Sequence, residues 1–226
     1  MSPRPVTERL FQLNRFRFVN CFLVREDDGF TLVDTMLSGG ANAIVSAARE
    51  LGGEIRRIAL THGHGDHVGS LDALRETLGG SVEILFPEID ADIHANDRTF
   101  EGKRPPGSWP KIQTTPDVRL TPGDRVGSLE VIPTPGHTPG HVSFLDTRDR
   151  TVIVGDVFTS MGGLAVSNHY SFPFPLAAVG TWDKAKDLES AKAIRALEPR
   201  LLVVGHGGPV HDPKPAMDKA IAAGGG

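Results

Sequence analysis

The residues best equipped for chemistry crowd into one short segment, Thr61-His62-Gly63-His64-Gly65-Asp66-His67. Imidazole and carboxylate are the donors that zinc accepts, with iron and manganese as alternatives. The apolar run from Ile55 to Thr61 predicts a strand entering this segment, and the pattern from Val68 to Leu78 predicts a helix leaving it. At the end of a strand, residues two apart project to the same side, so His62 and His64 can grip one ion. Asp66 and His67 stand where the chain turns into the helix and can aim at a second ion beside the first. Gly63 and Gly65 let the backbone bend tightly between these donors.

Three further candidates each end a predicted strand. His137 lies in Thr134-Pro135-Gly136-His137-Thr138-Pro139-Gly140-His141, Asp156 ends Val152-Ile153-Val154-Gly155-Asp156, and His206 follows Leu202-Val203-Val204-Gly205. Buried strands that open into Gly-flanked polar residues bring side chains to one rim of a sheet. Of the 9 histidines, five are thereby placed for metal. His141 is expected to support the fold or the donors from behind, and His94 and His211 to lie on the surface. The lone Cys21 excludes a disulfide scaffold and a cysteine-rich zinc or iron–sulfur site within one chain.

In this order, H-x-H-x-D-H, a G-H-T-x-G-H turn, a G-D and a final G-H resemble the metallo-β-lactamase superfamily from about Asn20 to His206. The resemblance implies an α/β fold, a four-layer αββα sandwich with its site at one edge. It implies two zinc ions, the first on His62, His64 and His137, the second on Asp66, His67 and His206, with Asp156 bridging. Asp34, ending Leu32-Val33-Asp34, matches a family aspartate that supports the ligands from behind. Two adjacent ions bring a bridging water toward neutral pKa, giving a metal-bound hydroxide that attacks a carbonyl, with Asp66 as its hydrogen-bond acceptor and proton shuttle.

Within the family, Asp156 resembles the glyoxalase II, lactonase and related ester or thioester hydrolase branches, since true metallo-β-lactamases generally carry Cys or Ser there. The expected reaction is hydrolysis of an ester, lactone or thioester. A mononuclear-iron persulfide dioxygenase, or β-lactam or phosphoester hydrolysis on the same site, stands as the alternative. No Arg/Lys set suited to glutathione stands out. Pocket candidates are Phe158, Met161, His169, Tyr170, Phe172 and Phe174 after Asp156, and Trp109 in a Pro-rich loop; their composition suits an apolar acyl chain or lactone ring, and equally suits plain packing of the loop.

The elements that must present these residues are short and separated by many turns: 26 Gly and 17 Pro with no simple repeat. A hairpin is predicted from Phe16–Arg25 and Phe30–Asp34, a helix over Asn42–Leu51, and a strand over Val82–Phe86. Residues 87–117 read as a Pro-rich loop with a short helix near Asp90–Asn96. Strands follow at Leu129–Thr134, Val142–Asp146 and Thr151–Asp156, then a helix over Asp183–Leu197, a strand over Leu201–Gly205 and a helix over Pro215–Ala223. With 226 residues, 39% hydrophobic and 23% charged, one domain over 1–226 with a packed core is expected. A net charge of −4 without basic blocks argues against nucleic acid, and no apolar stretch approaches a membrane span. The expected partner is a small-molecule substrate, a homodimer stays open, and the default location is the cytoplasm.

Overall fold

The computed structural model describes residues 1–225. The first half builds a seven-stranded sheet in chain order: β1 (Arg4–Pro5), β2 (Leu10–Arg15), β3 (Val19–Glu26), β4 (Gly29–Val33), β5 (Ile55–Ala59), β6 (Glu83–Pro87) and β7 (Val118–Leu120). β1 to β4 run antiparallel, whereas β4 to β7 are parallel. Parallel neighbours need crossovers. These are α1 (Ala41–Glu50), the short α2 (Gly65–Val68), α3 (Leu71–Leu78) and α4 (Glu88–Ala95).

The second half supplies β8 (Arg125–Val126), β9 (Leu129–Pro133), β10 (Val142–Asp146) and β11 (Thr151–Ile153). A small hairpin, β12 (Phe158–Thr159) with β13 (Ala165–Val166), stands apart. Then come α5 (Leu176–Gly180), α6 (Lys184–Ala196), β14 (Leu201–Val203), β15 (Val210–His211) and α7 (Lys214–Ala223). The second sheet has the order β15-β14-β11-β10-β9-β8, with β11 and β14 parallel.

Alternation along the strands creates four layers, because successive side chains face opposite ways. In β3, Cys21 and Leu23 join Ile44, Val45 and Leu74 of α1 and α3 in one core. Phe22 and Val24 face inward, where they meet Val131, Phe144 and Val203 of the second sheet. Outside that sheet, Val152 and Leu202 pack on Ala191, Ile194 and Met217 of α6 and α7. Three apolar interfaces thus hold a helix–sheet–sheet–helix sandwich, as expected.

Several local expectations are corrected. The strand expected from Phe16 begins at Val19, because Phe16 and Arg17 take positive φ in a tight turn after β2. The helix expected over Val68–Leu78 is two pieces, α2 and α3. Strand β2 and helix α5 had no clear signature in the sequence.

Candidate metal centre

The donor residues converge at one edge of the sandwich. β4, β5, β9, β11 and β14 all point their C-terminal ends there and lead into Asp34, His62, His137, Asp156 and His206 respectively. His62, His64 and His137 offer ring nitrogens within 4.8 Å of one another, as do the donor atoms of Asp66, His67 and His206. Between them lies Asp156. Its Oδ1 is 3.3 Å from His67 Nε2, and its Oδ2 is 3.0 Å from His206 Nε2 and 3.5 Å from His137 Nε2.

The surroundings settle which nitrogen of each imidazole faces the cluster. Thr61 Oγ1 donates to the Asp34 carboxylate, so it accepts from His62 Nδ1 and leaves Nε2 as the lone pair. His64 Nε2 donates to the Pro106 carbonyl, which frees Nδ1. His67 Nδ1 donates to Asp34 Oδ2 at 2.8 Å, and His206 Nδ1 to the Phe18 carbonyl at 2.7 Å. The single proton of Thr181 Oγ1 is taken by the carbonyls of Ser167 and Ala177 that it faces, so the hydroxyl accepts from His137 Nδ1. Five ring nitrogens face one small volume, that of His206 donating to Asp156 Oδ2 at 3.0 Å, the arrangement that outer hydrogen bonds produce around a cation. His62 Nε2, His67 Nε2 and Asp156 Oδ1 are buried without a well-aligned hydrogen-bond partner among the described residues. Orphaned buried polar atoms are costly, and a divalent cation is the partner this donor chemistry fits.

Electrostatics divide the imidazoles into two groups. Burial drives His62 and His137 well below the usual imidazole range and His64 down to about 4, so all three are free bases. Burial also opposes charge on His67 and His206, but Asp156 with Asp34 holds the first well above its ordinary value, and Asp156 with Asp66 lifts the second to about 10. Asp156 itself is buried, yet His206 and His67 keep it ionised. His141 stands behind the cluster: its Nε2 accepts the Asp156 backbone N–H at 3.1 Å while Nδ1 donates to Thr134 Oγ1.

The cluster floors a cavity of about 640 Å³ walled by Phe18, Leu37, Phe174, Leu176 and Val179, with Lys111 at its rim. Asp66 is the most open of the donors, its side chain 30% exposed. The pocket expectations need correction. Of the aromatics singled out, only Phe174 lines the cavity. Phe158 is fully buried in the core against α6 and α7. Trp109 is also buried, its ring 5.2 Å from that of His64 and outside the cavity wall. Met161 and His169 lie half-buried away from the cavity, and Tyr170 and Phe172 are 66% and 91% exposed. His94, expected on the surface, is half-buried against Phe86 and Trp109. The walls that were missed come from the β2–β3 turn, the chain after β4, and α5. No local pattern marks them, since they meet only in the folded chain.

The metallo-beta-lactamase superfamily matches residues 14–206. The chain is 43% identical over 208 residues to the uncharacterized protein YobT of Bacillus subtilis, covering 90% of this chain and 89% of that one. It is 29% identical to the probable metallo-hydrolase YflN of the same organism, over 83% and 79% of the two chains. Over 126 residues, 54% of this chain and 41% of the relative, it is 34% identical to a hydroxyacylglutathione hydrolase of Cereibacter sphaeroides. Among solved structures, TTHA1623 in a di-iron-bound form superposes with TM-score 0.66 at 25% identity, covering 91% of this chain and 95% of that one. The class B3 di-zinc metallo-beta-lactamase LRA-12 from an Alaskan soil metagenome also gives 0.66, at 22% identity and over 99% and 90% of the chains. The profile match, the four layers and the clustered donors lead to one conclusion: the chain belongs to the metallo-beta-lactamase superfamily, a family of metal-binding hydrolases.

Proposed function

We propose that this chain is a dinuclear metallohydrolase that cleaves an ester, lactone or thioester with an apolar acyl part. The observation that carries the reading is the Asp156 carboxylate, which lies within 3.5 Å of nitrogens from both donor sets. His62, His64 and His137 would hold one ion, and Asp66, His67 and His206 the other, with Asp156 shared. Held there, divalent ions would polarise a carbonyl and acidify water. Zinc suits the nitrogen and oxygen donors, and iron is the competitor, in keeping with the di-zinc and di-iron centres of the two related structures.

The protein's own groups supply the rest. Asp66 faces the cavity; burial pushes its carboxyl up, but His206 at 3.3 Å more than reverses this and keeps it ionised. It is therefore an ionised group able to accept a hydrogen bond from attacking water and so to orient it. Phe18, Leu37, Phe174, Leu176 and Val179 offer an apolar wall that would seat an acyl chain and exclude bulk water. The similarity to a hydroxyacylglutathione hydrolase favours the thioester branch of this substrate class.

The test is a panel of lactones, thioesters, phosphoesters, β-lactams and glutathione persulfide, run on protein of measured metal content. Carbonyl-ester turnover with two ions per chain is expected, and Asp66→Ala should abolish it. Full activity with one ion per chain would overturn the dinuclear reading. Oxygen uptake with the persulfide would replace hydrolysis by oxidation.

A further inference from the structure

Helix α4 carries two side chains that the hydrolytic reading leaves unused. Asp90 is a carboxylate with no solvent exposure at all. Its Oδ2 accepts the Gly63 backbone N–H at 2.8 Å and the Thr138 hydroxyl at 2.7 Å, and its Oδ1 accepts the Gly140 N–H at 2.7 Å. His94 lies one helical turn later on the same face. Its Nε2 is 2.8 Å from the Gly63 carbonyl, and because a carbonyl only accepts, Nε2 carries the proton. The same helix therefore holds both the N–H and the C=O of Gly63, the residue between His62 and His64. Glycine is what admits this grip. A Cβ on Gly63 would lie 2.5 Å from the Trp109 ring and 2.8 Å from His94 Nε2.

The second half of the grip is across the sequence. Thr138 and Gly140 belong to the turn that presents His137, so one carboxylate joins that turn to the backbone between His62 and His64. These three histidines form one donor set. The other set is held by the Asp34 carboxylate at His67 and the Phe18 carbonyl at His206, neither of which bonds to Asp90 or His94, although Asp34 also reaches His62 through Thr61.

We propose that Asp90 and His94 are positioning residues, a backbone clamp on α4 that pre-sets the spacing of His62, His64 and His137 for one cation without touching any of their rings. This rests on the reading that these histidines hold a metal. A buried carboxylate with three donors cannot be replaced by an amide without loss. Asn offers one acceptor oxygen, and its NH2 group would face a backbone N–H, donor against donor. Outer-sphere losses of this kind weaken metal binding about 10–100-fold. The clamp predicts that the loss falls on one ion only.

The experiment uses the full chain stripped with chelator and titrated with Zn2+ and Co2+, following affinity by chelator competition and Co2+ geometry by its visible spectrum. Asp90→Asn and His94→Ala should each weaken one of two binding steps by about 10–100-fold and alter the Co2+ bands, with the other step unchanged within about threefold. His94→Gln, whose Nε2 can again donate to the Gly63 carbonyl, should restore the wild-type step. His94→Ala serves where Asp90→Asn does not fold, since His94 is only half-buried. Equal weakening of both steps, no weakening, or failure of His94→Gln to rescue would overturn the clamp while wild-type binding of two ions leaves the hydrolase reading standing. A wild-type chain that binds no ion would overturn both.

Discussion

Gly205 offers the sharpest test of how Asp156 is held between the two donor sets. It precedes His206, its N–H donates to the Gly155 carbonyl, and its own carbonyl accepts the Asn20 N–H. Its φ is not in the left-handed region, so alanine there brings no backbone strain. The obstacle is space alone. A Cβ would sit 2.2 Å from Asp156 Oδ1 and 2.7 Å from His67 Cε1. Non-bonded carbon and oxygen need about 1 Å more than the first of these distances. Asp156 is short and buried, with His206 and His137 nitrogens 3.0 and 3.5 Å from its other oxygen, so retreat displaces the shared carboxylate from both donor sets. Overpacking of this kind costs about 1–3 kcal/mol of stability. Displacing a donor should also weaken metal binding at least 10–100-fold, about 1.4–2.7 kcal/mol. Chelator competition and melting curves with and without metal would measure Gly205→Ala. Gly208→Ala is the control, because a Cβ there meets nothing within 4 Å. Metal affinity of Gly205→Ala within twofold of wild type would refute the argument that Asp156 is held by packing against residue 205.

Three further outcomes are expected. Phe144 is fully buried between the two sheets, so Phe144→Ala should cost about 3–5 kcal/mol in denaturant unfolding; a cost below about 1 kcal/mol would mean the layers do not share that core. Burial pushes the Asp90 carboxyl up to about 6 against the hydrogen bonds from Thr138, Gly63 and Gly140. A carboxyl higher in the fold than its unfolded value near 3.9 favours folding fully below that pH, and the advantage is lost as pH rises to about 6. Two pH units of separation are worth about 3 kcal/mol. The stability of metal-free wild type relative to Asp90→Asn should therefore decline by about that amount between pH 4 and 6, and a flat difference would contradict it. Cys21 is fully buried, and burial first, then Asp34, raises its thiol well above the ordinary value. A thiol reagent should titrate no cysteine in native protein and one after denaturation; fast native labelling would show that β3 opens readily.

The strands around the site were legible because their signals are local. Val142–Asp146 and Thr151–Ile153 are β-branched and aromatic runs joined by a polar turn, and Asp183, which accepts the N–H groups of Ala185 and Lys186, caps α6 where the sequence places a helix start. β2 was not legible. Leu10–Arg15 alternates poorly and owes its strand state to pairing with β3 over six residues. The four layers follow from alternation, since Phe22 and Leu23 must serve different cores whichever partner each meets.

The division at the site has the same cause. The spacing of His62, His64, Asp66 and His67, and the glycine-flanked strand ends at His137, Asp156 and His206, are visible in sequence because strand geometry alone sends those side chains to one rim. Apart from the Thr61 hydroxyl beside His62, what tunes them comes from far along the chain. The Phe18 carbonyl orients His206, the Pro106 carbonyl orients His64, and Asp90 holds Gly63 to the His137 turn. The cavity wall likewise unites Phe18 with Phe174 and Leu176. Donor chemistry is a property of residue type and short-range geometry, so which side chains can hold a cation was already written in the amino-acid order. Spacing, ring orientation and the shape of the cavity depend on contacts between residues 27 to 188 positions apart, which exist only once the chain has folded.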